Sequence, residues 1–171
     1  VSPSCPLNNY GVEFIDSEVA DLKGGHAFDV LKGETGTFAD HVTIRGSRFT
    51  DISGAVLRIA GEADKAGVYG VERVDVAESR FARLGAPVLD IPRRGTDEST
   101  FGPQVRVSGS TFHDIAPGQP SMTLDGVQVV KLDSNLFERA APARVTIHVG
   151  TPDLSETGNT GAALEIVDQR K

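Results

Sequence analysis

The sequence predicts an all-β fold, a right-handed parallel β-helix of about six short coils. Two observations predict it: an apolar motif recurs along most of the 171-residue chain, and the apolar residues of each copy alternate with period two, as in strands. The clearest copies begin at Val42, Val74 and Val105, with two apolar residues, Ser, Phe and an apolar residue at offsets 0, 2, 5, 7 and 10. Because successive copies run in one direction, equivalent strands stack as parallel neighbours about 4.8 Å apart.

Weaker copies extend the repeat towards both ends of the chain. They begin at Val12, Val130 and Leu154, so the steps between the six starts are 30, 32, 31, 25 and 24 residues. A second apolar run follows the first in each copy and predicts two strands per repeat. These runs are 27–31, 55–59, 87–91, 121–124, 145–149 and 164–167. No segment keeps helical spacing of apolar residues for three turns, so helices are at most short caps.

The alternation assigns side chains to an inward and an outward face. The inward set is Val42, Ile44, Phe49, Val74, Val76, Phe81, Val105, Val107 and Phe112. The outward set is Glu13, Thr43, Asp75, Arg106 and Lys131 on the first strands, and Asp29, Arg58, Asp90, Thr123 and His148 on the second. We interpret the outward faces as solvated surface with opposite charges side by side. The Ser or Asn at offset 5 is expected at a corner, where a short side chain bonds the neighbouring backbone.

The repeat defines one domain, from residue 12 to residue 167. A linker-like lead, 1–11, contains Pro3 and Pro6 and precedes it, and a charged tail, 168–171, follows it. A solenoid exposes the backbone of its terminal coils to pairing with other strands. Because the lead does not read as an amphipathic capping helix, we expect another domain to cover the first coil. The charged tail is expected to end strand pairing at the other end.

Composition excludes several function classes. The chain has 17 Lys and Arg against 24 Asp and Glu, a formal charge of −7, and such a surface repels nucleic-acid phosphates and anionic lipids. Its longest apolar stretches are four to six residues, whereas a helix needs about 20 to span a bilayer. Neither nucleic acid nor a membrane is therefore an expected partner. Cys5 is the single cysteine, so the chain forms neither an internal disulfide nor a cysteine-based metal site.

Candidate binding residues gather in three insertions after the second strands of the early copies, at 32–41, 60–73 and 92–104. Equivalent places in successive coils lie on one edge of a solenoid, and loops on a rigid scaffold often carry function. The candidates for substrate binding are Lys65, Tyr69, Arg93 and Arg94. Weak candidates for holding Ca²⁺ through carboxylate oxygens are Glu62, Asp64, Asp97 and Glu98. The alternative interpretation is that these charges pair with one another and hold the loops down.

The sequence assigns no catalytic residue. Adjacent carboxylates at Asp97 and Glu98 point apart on an extended chain, which is unfavourable for paired acid and base catalysis. The histidines occupy four unrelated repeat positions and predict neither a metal cluster nor a catalytic triad; they are His26, His41, His113 and His148.

Four loop segments carry a resemblance to a known family. They are 36–40 (Gly-Thr-Phe-Ala-Asp), 62–72, 93–103 and 126–128 (Gly-Val-Gln), and the most specific stretch is Asp-Glu-Ser-Thr-Phe-Gly-Pro at 97–103. Together they resemble polysaccharide lyase family 6, which includes alginate lyases and chondroitinase B. The similarity is greatest to the second, C-terminal β-helix domain of two-domain alginate lyases, over about Tyr10 to Gly161. The chain departs from the family in having Pro-Arg-Arg-Gly at 92–95 and Tyr-Gly-Val-Glu at 69–72.

The resemblance implies an accessory domain that packs on an N-terminal catalytic β-helix of the same protein and shapes one end of the substrate cleft. In the family a Lys base, an Arg acid and Ca²⁺ drive β-elimination of a uronate, and the resemblance places those groups in the catalytic domain. The chain alone is therefore expected to hold no cofactor and to lack catalysis, with alginate as the parent's polymer and a secreted or periplasmic bacterial location. Two alternatives remain: a stand-alone polyuronate-binding module that uses Arg93 and Arg94, and a small autonomous lyase that uses Lys65 with both arginines. A purely structural solenoid is a third, since fold does not imply function.

Overall fold

The structure is a computed structural model that describes residues 9–30, 39–59, 71–92, 102–161 and 164–170. The described residues form β-strands that wind through six coils. The strands are β1 (Asn9–Ile15), β2 (Glu18–Ala20) and β3 (Phe28–Val30) in coil 1; β4 (Ala39–Arg45), β5 (Arg48–Thr50) and β6 (Leu57–Ile59) in coil 2; β7 (Val71–Ala77), β8 (Arg80–Leu84) and β9 (Leu89–Pro92) in coil 3; β10 (Gln104–Ser108), β11 (Thr111–Pro120) and β12 (Met122–Asp125) in coil 4; β13 (Val129–Asp133), β14 (Leu136–Ala141) and β15 (Ala143–Ile147) in coil 5; and β16 (Asp153–Thr157) and β17 (Leu164–Asp168) in coil 6.

Three parallel sheets run along the stack of coils. Sheet I has the order β1-β4-β7-β10-β13-β16, sheet II the order β14-β11-β8-β5-β2, and sheet III the order β17-β15-β12-β9-β6-β3. In every sheet each strand pairs in parallel with its equivalent in the next coil, for example Val42 with Val74 and Val105 with Val130. The predicted parallel β-helix is therefore confirmed.

The prediction of two strands per repeat is wrong, because each complete coil has three. The first apolar run of a copy is broken by a sharp corner, as between β4 and β5, where Gly46 has φ of 60°. The same left-handed conformation recurs at the equivalent residues Asp16 (47°), Glu78 (50°) and Ser134 (55°). One residue in this conformation redirects the chain without disturbing the period-two pattern on either side. Across this residue the inward positions pass from offset 2 to offset 5. The motif therefore marks a corner, but it does not show that a separate strand and sheet begin there.

A ladder of Ser and Asn side chains fixes this corner, as the sequence predicted. The backbone nitrogen of Ser47 donates to Ser79 Oγ at 3.2 Å, and that of Ser79 donates to Ser110 Oγ at 3.1 Å. Further along, the backbone nitrogens of Ser110 and Asn135 donate to the side-chain oxygens of Asn135 and Asn159 at 3.0 and 2.9 Å. Each short side chain therefore satisfies a buried backbone donor of the preceding coil, which would otherwise cost about 1–3 kcal/mol.

The core is a set of apolar columns that run parallel to the stack. All nine residues predicted to face inward are at most 3% exposed. Phe81 lies between Phe49 and Phe112, with ring centroids 5.6 and 5.2 Å apart, and Phe112 stacks on Phe137 at 4.7 Å. These offset-stacked rings connect four successive coils.

The outward positions agree with prediction except at His148. Strand β15 ends at Ile147, so its outward residue is Arg144, which pairs in register with Thr123. The sequence predicts the second apolar run of this coil at 145–149, because Val145, Ile147 and Val149 alternate as in a strand. In the structure, β15 begins two residues earlier, at Ala143. Strand β1 begins at Asn9, three residues before the expected first copy.

Opposite charges do lie side by side on neighbouring coils. Arg58 lies between Asp29 and Asp90, at 3.8 and 3.6 Å, and Arg144 contacts Glu165 at 3.0 Å. Pairs this exposed contribute at most about 1 kcal/mol each, so they favour the correct register more than they stabilise the fold.

Candidate functional site

The loop residues predicted from the sequence lie outside the described residues. They are Lys65, Tyr69, Arg93, Arg94, Glu62, Asp64, Asp97 and Glu98. The strands on either side of these loops are described, and the connections run from β3 to β4, from β6 to β7 and from β9 to β10. Each therefore joins sheet III to sheet I, so the three insertions leave and re-enter the solenoid at the same edge.

The described residues form a groove on the outer face of sheet I, over the second halves of β7, β10 and β13, which lie towards the corner with sheet II and away from that edge. It has a volume of about 340 Å³ and spans coils 3 to 5. One wall is the column Asp75, Arg106 and Lys131, which are in register on β7, β10 and β13. Its other polar lining residues are Ser108 and Asp133, from the next outward column. Ala77 precedes Ser108 in that column, and these small side chains leave the room that the groove occupies.

Asp75 at one end of the groove already contacts two basic side chains. Its Oδ2 lies 2.9 Å from His41 Nε2 and 2.7 Å from Arg73 Nε. Arg73 Nε is shielded from solvent but lacks hydrogen-bond geometry, so its contact with Asp75 is an ion pair and not a well-aligned hydrogen bond. Both side chains come from the outward column beside Asp75, since His41 and Arg73 are in register on β4 and β7.

Lys131 at the other end of the groove is also paired. Its Nζ lies 3.1 Å from Asp153 Oδ2, on the first strand of coil 6. Asp133, beside it, accepts a hydrogen bond from Ser134 Oγ at 3.1 Å.

Arg106 at the centre of the groove differs from both. Its Nε is shielded from solvent, and no acceptor in the described part of the chain bonds it. Arg58, Arg83, Arg139 and Arg144 have a carboxylate partner, whereas the described and exposed Arg45, Arg48 and Arg80 form no ion pair with a described carboxylate. Arg106 Nε is therefore a shielded donor without a partner, as Arg73 Nε is in the same sheet.

A second polar cluster lies at the corner after sheet II and is satisfied by its own members. Arg83 donates to both carboxylate oxygens of Asp51, at 2.7 and 2.6 Å, which holds the pKa of Asp51 below its ordinary value. Farther along the same corner, Arg139 Nε contacts Asp114 at 2.8 Å, and His113 Nδ1 lies 3.1 Å from Glu138. These contacts join neighbouring coils, so we interpret the cluster as structural.

Asp90 on sheet III has a partly buried carboxyl. Burial raises the pKa of Asp90 above its ordinary value, although Arg58 at 3.6 Å opposes the shift. His26 Nδ1, on the adjoining corner, accepts a hydrogen bond from the backbone nitrogen of Ala55 at 2.9 Å, which is a structural role.

Sequence reasoning missed the groove because it interpreted Arg106 and Lys131 as solvated surface. Their position on one outward column was predicted. The sequence does not show that Asp75 and Lys131, the neighbours of Arg106 in that column, pair with other residues, because some of those partners lie in other coils. Within the described ranges, three His, Cys, Asp or Glu side chains nowhere approach closely enough to hold a metal ion. The described residues also include no helix with the length and apolarity of a membrane span.

No protein-family model matches the chain, and no curated protein and no solved structure matches it. The class that the structure defines is therefore that of the fold, an all-β parallel solenoid.

Proposed function

We propose that the chain is an accessory β-helix domain of a polyuronate lyase, which packs on the catalytic domain of its parent through coil 1. Alginate is the polymer proposed for the parent enzyme, and the accessory domain shapes one end of its cleft. The observation that carries the packing is a difference between the two ends of the solenoid: coil 1 has an apolar interior face, and coil 6 has a partly charged one.

The inward side chains of coil 1 are apolar but incompletely covered. Val12, Phe14 and Phe28 are only partly buried, whereas Val42 and Ile44, which stack on Val12 and Phe14 from coil 2, are 3% and 0% exposed. A cavity of about 70 Å³ lies among these side chains. In the described part of the chain, β1, β2 and β3 are end strands with a neighbour on one side only.

Coil 6 has charged residues where the preceding coil is buried. Glu156 is in register with Leu132, and Asp168 is in register with Ile147. The terminal repeats of a solenoid need a polar outer face where they contact solvent. Apolar terminal repeats favour a covering partner, so coil 1 is the end suited to docking.

The charge around coil 1 indicates what kind of partner fits. Described residues of this coil carry one lysine and five carboxylates, namely Lys23 against Glu13, Asp16, Glu18, Asp21 and Asp29. The described part of coil 6 is acidic as well, with four carboxylates and Arg170. Like charges oppose head-to-tail stacking of two copies. The partner proposed is a protein domain with an exposed β-strand edge and a basic rim.

The coding region upstream of Val1 gives the first test. We expect it to encode a second β-helix with lysine, arginine and carboxylates in one groove. A secretory signal peptide directly before Val1 would contradict the proposal.

A variant of the intact parent protein gives the second test. Phe28→Asp places a charge in the docking face, so it should separate the thermal transition of this domain from that of its neighbour and lower the release of unsaturated uronate. Ile166→Asp is the matched control, because Ile166 is 54% exposed at the opposite end. Equal effects of the two substitutions would count against docking through coil 1.

A further inference from the structure

We infer that the corner between β1 and β2 is a docking site for one residue of a partner coil, which adds to the solenoid in parallel and in register. That a partner covers coil 1 rests on the proposed function. That it docks by backbone hydrogen bonds, and not by side-chain packing alone, rests on the corner itself.

Each inner corner of the solenoid holds one residue of the preceding coil through two hydrogen bonds. The backbone nitrogen of Ser17 donates to Ser47 Oγ at 3.1 Å, and the carbonyl oxygen of Ser17 accepts from the backbone nitrogen of Arg48 at 2.8 Å. We call this pair of bonds the corner clamp. The residues that the following coil holds in this way are Ser17, Ser47, Ser79, Ser110 and Asn135. The clamp therefore forms once between each pair of neighbouring coils.

Coil 1 presents the same clamp, and the described residues leave it empty. Ser17 Oγ donates its proton to the carbonyl oxygen of Ile15 at 2.9 Å, so the hydroxyl oxygen keeps its capacity to accept a hydrogen bond. Glu18 is in register with Arg48, whose N–H is directed to the preceding coil. The N–H of Glu18 is therefore directed away from coil 2, where the described part of the chain offers β2 no neighbour.

A third backbone group at this corner completes the template. The carbonyl oxygen of Arg45 accepts from the backbone nitrogen of Asp16 at 2.9 Å, and Ile15 is the register equivalent of Arg45 in coil 1. The partner residue in the clamp is therefore preceded by one whose N–H reaches Ile15. Asp16 and Gly46, which have that place in coils 1 and 2, have φ of 47° and 60°. We expect the partner to carry glycine, asparagine or aspartate there.

The side chains beside the empty clamp favour a coil over solvent. Phe14 and Val19, on the inward face just before and just after the corner, are only partly buried. Water satisfies free donors and acceptors but leaves this apolar surface exposed, whereas a coil in register covers it and also fills the clamp. Main-chain hydrogen bonds combined with side-chain contacts are how strand addition binds a partner.

A second copy of this chain does not suit the site. Glu156 and Phe14 lie at opposite ends of one column of register, which also contains Ile44, Val76, Val107 and Leu132. Head-to-tail stacking would place the carboxylate of Glu156 on the ring of Phe14, and burial of a charge without a partner is costly. The occupant is therefore a coil of the parent's catalytic domain, with apolar residues over Phe14 and Val19.

Two substitutions of Glu18 in the intact parent protein test this docking. Glu18→Pro removes the N–H of the clamp, whereas Glu18→Ala keeps it, and both remove the same exposed carboxylate. Proline is tolerated on an edge strand where its nitrogen faces solvent, but it cannot donate to a neighbouring coil. We expect Glu18→Pro to separate the thermal transition of this domain from that of its neighbour, and Glu18→Ala to leave the two transitions joined.

Hydrogen exchange in the unsubstituted parent protein measures the clamp directly. The amide of Val19 is the internal reference, because successive N–H groups of a strand alternate in direction and that of Val19 is directed to coil 2. We expect the Glu18 amide to exchange within about tenfold of the rate of the Val19 amide, since both are then paired inside a sheet.

Equal behaviour of Glu18→Pro and Glu18→Ala, or exchange of the Glu18 amide at the rate of an open chain, would overturn docking by coil addition. If Phe28→Asp still separates the transitions, docking through coil 1 stands on side chains alone. If Phe28→Asp leaves them joined, the proposed function itself fails. Should Glu18→Pro not fold, the exchange rates of the unsubstituted parent decide.

Discussion

Leu132 and Glu156 occupy the same register position on neighbouring coils, yet Leu132 is 1% exposed and Glu156 faces solvent. The apolar column of sheet I therefore ends in a carboxylate at coil 6. A charged group at the end of a stack discourages other chains from adding strands to it. The end of the solenoid is thus specified by a side chain as well as by the backbone.

We predict that Glu156→Leu makes the chain self-associate. The substitution continues the apolar column to the last coil and places it in contact with solvent, which creates an adhesive strand edge. Sedimentation velocity over a range of concentrations measures the effect. Ser155→Leu is the control, because Ser155 is in register with Lys131 on the outward face. Equal association of the two variants would show that added hydrophobicity, and not the inward position, is responsible.

Phe81→Ala should destabilise the fold by about 3–5 kcal/mol. Phe81 is fully buried between Phe49 and Phe112, and its loss leaves a cavity that two stacked rings border. Phe14→Ala should cost less, because Phe14 is only partly buried in coil 1. Urea unfolding of both variants gives the comparison, and a larger loss from Phe14→Ala would contradict the burial pattern.

Gly85→Ala should destabilise the fold by about 1–3 kcal/mol, as overpacking does. A Cβ at Gly85 would lie 2.6 Å from the carbonyl oxygen of Ser53, which is backbone of the preceding coil and cannot rotate away. Gly25→Ala is the matched control, since a Cβ there meets nothing within 4 Å. Its thermal midpoint should be unchanged or slightly higher, because alanine restricts the unfolded chain.

Asp51 should contribute stability that acid removes. Arg83 holds the pKa of Asp51 below its ordinary 3.8, so the contribution is fully present above that value and is lost as pH falls through the lower folded-state pKa. Asp51→Asn should therefore be less stable than the unmodified chain near neutral pH and no different in strong acid. Urea midpoints at several pH values test this, and a constant difference at all pH values would contradict it.

Asp90 should show the opposite dependence. Burial raises the pKa of Asp90 in the folded state above 3.8. As pH rises from 3.8 through this raised pKa, Asp90 ionises more readily in the unfolded chain than in the folded one, so the folded state loses stability. Asp90→Asn should match the unmodified chain in acid and exceed it in stability near neutral pH. A variant that is less stable near neutral pH would show that the ion pair with Arg58 outweighs burial.

The repeat predicted the fold because its signal is local and is repeated. The period-two runs around Val42, Val74 and Val105 each indicate a strand, and their common offsets to a Phe indicate that the strands stack. The corner was predicted from the Ser or Asn at offset 5. The third sheet was missed because the two strands that meet there are separated only by a short turn with one left-handed residue, Gly46 or its equivalent. In half of the coils that residue is Asp, Glu or Ser instead of Gly, so the residue type at this position does not mark the turn.

The groove was less predictable than the fold because it depends on which charges are already paired. The sequence places Arg106 between Asp75 and Lys131, and that arrangement is typical of an ordinary solvated column of charged side chains. The contacts of Asp75 with His41 and Arg73, on the neighbouring outward column, show that the Asp75 carboxylate already has partners. Those contacts join neighbouring columns, and their distances depend on side-chain conformations that periodicity does not specify.

The ladder of Ser and Asn side chains has a consequence for evolution. Each step of the ladder needs only the side-chain oxygen of the next coil, as when Ser47 donates to Ser79 and Ser79 to Ser110. A tandem gene duplication of one coil would therefore add one step, one ring to the Phe column and one strand to each sheet, and would leave both ends as they are. Chain length in such a protein is a freely variable trait, which natural selection can adjust to the length of a partner or polymer without redesign of the core.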